Sequence, residues 1–264
     1  MLPPFRYYGG KHFLVKHLLK YIPPHRVYVE VFGGAANLLL AKPPSEIEVY
    51  NDIDSALVNF FRVLRDTEKF TMLLHALLFT PYSRAEHDFC VKSHDDENVS
   101  DVEQARRFFV AIEQSFDGVF AASWSFSIER SLAKSFFNRI LRLYEIAARF
   151  RFVYIENDDF EKVIRRYDSV ETFFYLDPPY LTEASDKKGY RYSMSEEDHE
   201  RLVNALLYIK GKALLSGYPH AIYRPLEEAG WRRVRVTRPV WARRVRGGRK
   251  RGRRSECLWM NYQL

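Results

Sequence analysis

The chain has 264 residues, a formal net charge of +7 and 47% hydrophobic residues, which is enough apolar material for one large core or a core with a modest satellite domain. No apolar run approaches the ~20 residues of a membrane-spanning helix. Residues 1–11 carry aromatic residues, glycines and charge where a secretory signal needs an uninterrupted apolar segment. We therefore expect a compact cytoplasmic protein, and the composition argues against a membrane-spanning one.

The excess positive charge is concentrated in one short segment. Between Arg243 and Arg254 there are eight basic residues and no acidic one, and the rest of the chain has a net charge of −1. Such a segment is expected of a nucleic-acid binder, because basic side chains that neutralise phosphates release condensed counterions. A solvated loop or a localisation tract is the alternative. The candidate DNA-binding residues are Arg243, Arg244, Arg246, Arg249, Lys250, Arg251, Arg253 and Arg254.

Short runs rich in β-branched and aromatic residues alternate with segments of helical periodicity along most of the chain. This alternation predicts an α/β fold with a doubly wound, mostly parallel sheet and a crossover helix for each strand. The predicted strands span residues 27–32, 46–50, 152–156, 172–177 and 212–217, and the predicted helices span 10–21, 54–66, 158–167, 195–210 and 220–229. The sequences at 231–237 and 256–263 flank the basic segment and predict a C-terminal antiparallel hairpin.

Residues 57–150 interrupt the alternation, since they are almost wholly helical in character and contain no convincing strand. We interpret them as an inserted helical domain, which leaves residues 1–56 and 151–264 to form the sheet domain.

The two cysteines, Cys90 and Cys257, are too few for a disulfide framework and lack metal-ligand spacing. We therefore expect both cysteines to pack in the core, and we expect no metal site.

A glycine turn and an acidic residue follow the first two predicted strands. The segment 29–35, VEVFGGA, ends a strand in paired glycines and begins a helix, so a ligand can approach the backbone and the free N–H groups of the helix. It lacks the spacing of dinucleotide and phosphate loops. At the end of the next strand, Asp52 is placed to bind ribose hydroxyls, whereas Asp54 is expected to cap the following helix.

Asp177-Pro178-Pro179-Tyr180 is the most informative tetrapeptide. It directly follows an apolar strand and therefore lies at the carboxyl edge of the sheet, where open α/β folds bind ligands. The prolines fix the backbone and remove amide donors, so the Asp177 carboxylate and the Pro178 carbonyl form a rigid acceptor pair for an exocyclic amine. Tyr180 would stack on the base, which must first be flipped out of a duplex. The alternative is a Pro-Pro turn without a function.

Several motifs follow one another in a recognisable order: Tyr-x-Gly-Gly-Lys at 7–11, VEVFGG at 29–34, NDID at 51–54, a helical insert, and DPPY at 177–180. Together they resemble the Dam-type family of DNA adenine-N6 methyltransferases over nearly the whole chain, including 256–262, which looks like that family's final strand. The resemblance implies a Rossmann-like methyltransferase domain that uses S-adenosylmethionine and acts on double-stranded DNA. It also implies that the helical insert is a target-recognition domain.

The resemblance further assigns expected roles to individual residues. The residues expected to bind S-adenosylmethionine are Tyr7, Lys11, Glu30, Phe32, Gly33, Asp52 and Asp177. Asp177, Pro178 and Tyr180 are expected to be catalytic at the target base. In the insert, segments 114–118 and 123–127 replace the Arg- and Asn-bearing segment expected in GATC methylases. The resemblance therefore does not imply a GATC target. Ser123 and Trp124 are the candidate DNA contacts in this part of the insert. We also expect the protein to be a monomer, with a cognate restriction endonuclease as a possible partner.

Three alternatives remain open from the residues. Amino methylation of cytosine could use the same acceptor pair. Methylation of RNA or of a protein amide would suit an Asn better than the Asp present at 177, and a DNA-binding protein without catalysis would not need an intact DPPY segment. Methylation at carbon 5 of cytosine is not expected, because it commonly uses a Pro-Cys pair and neither Cys90 nor Cys257 follows a proline.

Overall fold

The computed structural model describes residues 1–11, 14–181, 191–237 and 255–263. The strands in this part of the chain are β1 (Val27–Glu30), β2 (Ile47–Asn51), β3 (Val153–Glu156), β4 (Thr172–Leu176), β5 (Lys212–Gly217), β6 (Arg232–Thr237) and β7 (Ser255–Met260). They form one sheet in the order β3-β2-β1-β4-β5-β7-β6. Strands β1 to β5 run parallel, and β7 pairs antiparallel with both β5 and β6.

The helices alternate with the strands and cover both faces of the sheet. They are α1 (Val15–Leu18), α2 (Asn37–Ala41), α3 (Ser55–Arg65), α4 (Thr67–Leu78), α5 (Arg84–Ser93), α6 (Asp101–Glu113), α7 (Leu132–Phe150), α8 (Phe160–Tyr167), α9 (Glu196–Leu207) and α10 (Arg224–Glu228). Alternate residues of a strand point to opposite faces. Accordingly, Phe173 of β4 belongs to the hydrophobic cluster that contains α3, α6 and α7, and Phe174 belongs to the cluster on the other face, which contains α8, α9 and α10.

The predicted sheet is confirmed, including its mostly parallel order and the C-terminal antiparallel hairpin. Strand β5 has the predicted bounds, whereas β1 ends two residues early because the chain turns into the glycine pair. The first helix is shorter than predicted: α1 is followed by a 3-10 turn at Leu19–Tyr21, and two prolines then end the helical segment. Asp54 accepts hydrogen bonds from the amides of Ala56 and Leu57 at the start of α3, as expected of a cap.

Helices α3 to α7 lie between β2 and β3, and the described residues of 57–150 contain no strand, only an isolated bridge between Ser115 and Trp124. These helices share a hydrophobic cluster with one face of the sheet.

Cys90 and Cys257 are buried free thiols. No helix in the described ranges is long and apolar enough to cross a membrane. The basic segment, residues 243–254, lies outside the described residues.

Candidate active site

A cleft opens at the carboxyl edge of the sheet, where β1, β2 and β4 end side by side. Its cavity volume is about 250 Å³, slightly below the range of ~300–1,000 Å³ typical of small-molecule sites. The structure brings together in its lining the seven residues predicted to bind a cofactor, namely Tyr7, Lys11, Glu30, Phe32, Gly33, Asp52 and Asp177. These residues come from four separate motifs, so their convergence depends on the strand order of the sheet.

The glycine turn after β1 shapes the floor of the cleft through packing. A Cβ atom on Gly33 would lie 2.2 Å from the ring of Tyr50, so a side chain there would collide with a buried residue of β2. Gly34 has a positive φ of 49°, a conformation that favours glycine. Its carbonyl accepts a hydrogen bond of 2.7 Å from the Tyr50 hydroxyl. The paired glycines therefore let the β1 turn sit directly on β2.

Asp52 is held at the end of β2 by two backbone amides. Its Oδ2 accepts from the amide of Gly34 at 2.8 Å, and its Oδ1 accepts from the amide of Asp54 at 2.9 Å. Burial raises the pKa of Asp52 to about 6, against the opposing effect of these amides. The carboxylate is therefore fixed in direction, and each oxygen keeps acceptor capacity for a hydroxyl ligand in the cleft.

Glu30, the last residue of β1, is a second buried carboxyl group in the lining. Its Oε2 accepts from the Tyr28 hydroxyl at 2.6 Å and from the amide of Leu39, in α2, at 2.8 Å. Burial raises the pKa of Glu30 to about 8, so the group binds a proton at neutral pH in the absence of a cationic partner. A ligand with a positive charge would favour its ionised form.

Asp177 follows β4 and belongs to an ionic cluster. Its Oδ1 lies 3.3 Å from Nζ of Lys11, whose ammonium also donates to Oε2 of Glu256 at 2.9 Å. Lys11 and Glu256 are buried, and Asp177 keeps 16% of its side chain exposed to the cleft. Burial raises the pKa of Asp177 to about 6; Lys11 opposes this shift and Glu256 adds to it.

Tyr180 takes part in the same cluster but does not line the cleft. Its hydroxyl hydrogen-bonds with Lys11 and lies 2.7 Å from Oγ of Ser216, in β5. Its ring packs edge-on against Tyr218 at a centroid distance of 4.6 Å. The Tyr180 ring is buried in this structure, so stacking on a base, as predicted from the sequence, would require it to turn toward the cleft.

The Pro-Pro turn is held in place by a buried histidine of α9. Nε2 of His199 lies 3.0 Å from the Pro179 carbonyl, and Nδ1 lies 2.9 Å from the Tyr223 hydroxyl. Burial lowers the pKa of His199 to about 4, so the imidazole is neutral near pH 7. A neutral ring can donate from Nε2 to the carbonyl while Nδ1 accepts from the tyrosine. Pro178, between Asp177 and this contact, is buried.

Three further residues of the cleft were not predicted from the sequence. Asp158 and Phe160 follow β3 and line it, and the Phe160 ring lies 5.7 Å from that of Phe32. Their position was predictable, because the carboxyl-edge argument applied to the other strands holds equally for 152–156. Arg191 also lines the cleft and forms an ion pair of 3.2 Å with the cap residue Asp54. No local motif marks that contact.

The two candidate DNA contacts of the helical segment lie away from this cleft. Ser123 is exposed, and its carbonyl accepts from the amide of Phe116. Trp124 is half-buried and donates from Nε1 to Gln114, while its ring stacks with the exposed Phe126 at 6.0 Å. The guanidinium of Arg84 lies 4.9 Å from the Trp124 ring. An aromatic and cationic surface is therefore present at this loop.

The geometry agrees with comparison to known proteins. The D12 class N6 adenine-specific DNA methyltransferase family matches residues 7–222, from the Tyr-x-Gly-Gly-Lys motif to the turn that precedes α10. The chain belongs to this family. The D12 enzyme described here therefore methylates N6 of adenine in DNA, and the predicted family, reaction and Rossmann-like methyltransferase fold are confirmed. Double-stranded DNA is its substrate.

The D12 assignment is supported by a curated relative. The Type II methyltransferase M.CviBI of Paramecium bursaria Chlorella virus NC1A is 25% identical over 220 residues. The aligned region covers 81% of this chain and 82% of the relative. The similarity therefore extends over most of both proteins and includes the helical segment as well as the sheet.

Proposed function

We propose that this D12 enzyme transfers a methyl group from S-adenosylmethionine to N6 of an adenine that is flipped out of double-stranded DNA at one short recurrent sequence. The observation that carries the proposal is the position of Asp177, a partly exposed carboxylate held by a buried lysine in the same cleft as the predicted cofactor residues. One cavity can thus hold a methyl donor and present an acceptor to an amine.

The residues of the cleft fit S-adenosylmethionine chemically. Asp52 offers a fixed carboxylate for the ribose hydroxyls, and Phe32 and Phe160 offer apolar walls. The buried Tyr175 hydroxyl lies in the lining beside Asp177 and offers a further polar group to a ligand. Tyr7, Lys11, Glu30 and Gly33 would border the methionine portion. When bound, the cofactor supplies an electrophilic methyl group.

The amine would be aligned by Asp177 and the Pro178 carbonyl. Each accepts one N–H of N6, which turns the nitrogen lone pair toward the methyl carbon. The lone pair would form the new N–C bond while the C–S bond of the bound cofactor would break with its electrons on sulfur, and N6 would then lose one proton. Asp177 is the nearest base for that proton, and its exposed edge lets the proton pass to water. Positioning and electrostatics would carry the catalysis.

DNA would be held by surfaces outside the cleft. We assign target recognition to the helical domain of residues 57–150, with Ser123 and Trp124 at its exposed loop, and phosphate binding to the basic segment 243–254. The sheet domain then comprises 1–56 and 151–264. We also propose a monomer, and a cognate restriction endonuclease as a partner would fit the Type II name of the relative.

Expression in a host that lacks DNA methylation tests the proposal, with single-molecule sequencing that detects modified bases. We expect N6-methyladenine at one short motif in the genome of the host, and unmodified DNA in cells that express Asp177→Ala to the same level. Methylated cytosine, methylated adenine at no recurrent motif, or unmodified DNA with soluble wild-type protein would each contradict the proposal. Purified enzyme with labelled S-adenosylmethionine and the identified duplex then tests the cofactor directly.

A salt titration tests the basic segment separately. Replacing its eight basic residues by serine should weaken DNA binding and flatten the salt dependence, because each neutralised phosphate contributes about 0.9 to the slope of log K against log salt. A slope unchanged from wild type would show that the segment does not contact phosphates.

A further inference from the structure

We infer that Glu256, on strand β7, is a positioning residue for methyl transfer that acts on Asp177 through Lys11. The inference rests on the proposed role of Asp177 as the acceptor for the target amine. It concerns a residue outside the motifs that mark the cleft, and Glu256 itself does not line the cavity.

The contacts of Lys11 are the first support. Its ammonium has three N–H groups and three partners, namely Asp177 at 3.3 Å, Glu256 at 2.9 Å and the Tyr180 hydroxyl. The Lys11 and Glu256 side chains are 7% and 6% exposed, so solvent screens their interaction only weakly. Glu256 thus fixes the direction in which the ammonium points.

The place of Glu256 in the sheet is the second support. On β7, Cys257 and Trp259 face one hydrophobic layer, whereas Leu258 and Met260 face the other. Because side chains alternate along a strand, Glu256 belongs to the row of Leu258 and Met260. A carboxylate at the end of an apolar row departs from the pattern that core packing favours, and such departures occur at functional sites.

The net charge of the cluster of Lys11, Asp177 and Glu256 favours a role of Glu256 in the reaction over a purely structural role. Asp177 alone would suffice to neutralise Lys11, and a second buried carboxylate adds a desolvation cost. With both carboxylates ionised, the cluster carries one net negative charge. That charge is opposite in sign to the positive charge that develops on N6 as it is methylated. Sharing Lys11 with Glu256 also leaves Asp177 with more capacity to accept from the amine.

The pH dependence of the reaction provides a readout specific to this arrangement. The groups that face Asp177 are Lys11 from the N-terminal segment, Glu30 from β1, Tyr175 from β4, Tyr180 from its own turn, and Glu256 from β7. Glu256 raises the pKa of Asp177 and Lys11 lowers it. Removing the charge of Glu256 should therefore move the acid limb of the kcat profile to lower pH.

Glu256→Gln tests the inference in the full-length enzyme on the identified duplex. We expect kcat at the plateau to fall by about 10- to 100-fold, with KM for DNA and for S-adenosylmethionine changed by less than about threefold. The acid limb should shift downward. With 2-aminopurine at the target position and no cofactor, the fluorescence increase on binding should match that of wild type, since base binding is not affected.

The matched control is Glu227→Gln. Glu227 accepts from Nε1 of Trp259 on the same strand and pairs with Arg233, so it also contacts β7, but on the face of the sheet opposite to Glu256, and it does not line the cleft. We expect this variant to keep the kcat and pH profile of wild type. A loss of activity equal to that of Glu256→Gln would overturn the inference, because any disturbance of β7 would then have the same effect.

A double-mutant cycle tests whether the effect passes through Lys11. If it does, Lys11→Met combined with Glu256→Gln should be no slower than Lys11→Met alone. Additive losses would contradict this route. Glu256→Asp keeps the charge on a shorter side chain and should retain more activity than Glu256→Gln. If the Gln variant has a strongly lowered melting temperature, the Asp variant replaces it as the test of the inference.

The outcomes separate the inference from the proposed function. Wild-type enzyme that fails to methylate adenine would refute the proposed function itself. Active wild type together with a Glu256→Gln variant of unchanged kcat and unchanged pH profile would refute only the inference. Parallel losses of kcat, 2-aminopurine signal and melting temperature would identify Glu256 as a structural residue and would also overturn it.

Discussion

Asp52 and Asp177 stand in the same cleft but are held in different ways. Burial raises the pKa of each to about 6. Asp52 accepts from the backbone amides of Gly34 and Asp54. Asp177 instead depends on Lys11, which in turn contacts Glu256, 245 residues further along the chain. The donors to Asp52 therefore cannot titrate, whereas the surroundings of Asp177 are themselves ionisable side chains.

We expect this difference to separate a role in cofactor binding, for Asp52, from a role in the reaction, for Asp177. A carboxylate on fixed amides has a constant direction and suits a ligand that binds in one way. A carboxylate paired with a shared ammonium has an adjustable charge and acceptor strength, which suits a group that meets an amine during a reaction. We expect substitutions at the two positions to separate in their effects on kcat and on cofactor affinity.

The largest expected effect is at Asp177. Asp177→Ala should lower kcat by at least about 10³-fold, because it removes the acceptor that orients the amine, while cofactor affinity stays within about threefold. Asp177→Asn should also be strongly impaired, since the amide is neutral and leaves Glu256 as the one carboxylate in contact with Lys11. Single-turnover methyl transfer on a short duplex measures the rates, and calorimetry measures cofactor affinity. An Ala variant with substantial activity would remove Asp177 from the mechanism.

Asp52→Asn should act on binding. One oxygen is replaced by an NH₂ group that cannot accept from a backbone amide, and a hydrogen bond to a charged group is worth ~1.5–3 kcal/mol. We therefore expect cofactor affinity to fall by about 10- to 100-fold, with kcat at saturation within about threefold of wild type. Calorimetric titration checks the first value. A fall in kcat comparable to that of Asp177→Ala would erase the contrast between the two sites.

The pH dependence of wild-type enzyme should show which carboxylate matters for chemistry. Asp177 must be ionised to act, so kcat should fall as pH drops through about 6, by roughly tenfold at one pH unit below the pKa. Asp52 has a similarly raised pKa, which makes the Asp52→Asn variant the informative control. We expect that variant to keep the acid limb of kcat. Loss of the limb would assign it to Asp52 instead.

The smallest expected effect is at His199, which supports the Pro-Pro turn. His199→Phe removes the donor to the Pro179 carbonyl and should lower kcat by about three- to fivefold, in line with the loss of one neutral hydrogen bond of ~1 kcal/mol. His199→Gln, which keeps an N–H donor, should be less impaired. Because burial lowers the pKa of His199 to about 4, neither variant should alter the pH profile above pH 5. A changed profile would mean that His199 titrates in the working range.

The contrast between Asp52 and Asp177 also explains which parts of the fold and of the site could be predicted from the sequence. The mostly parallel sheet and the C-terminal hairpin follow from periodicity, and the positions of Glu30 and Asp52 follow from short motifs at the ends of β1 and β2. The place of Tyr7 in the cleft was implied by the family resemblance. The surroundings of Asp177 were not predictable in the same way. Glu256 falls within a correctly predicted strand, but its contact with Lys11 is set by which strands are neighbours and by their register. No local pattern encodes a contact between residues so far apart.

Strand β7 lies between β5 and β6 although it is the last of the three to be synthesised. A chain synthesised as far as β6 therefore carries all four sequence motifs, but its β6 has no neighbouring strand, its β5 pairs with β4 alone, and its Lys11 lacks one of its two carboxylates. Assembly of the ionic cluster must wait for translation to reach residue 256. A nascent or prematurely terminated chain would carry every recognisable motif of a methyltransferase and yet leave the genome of its cell unmarked.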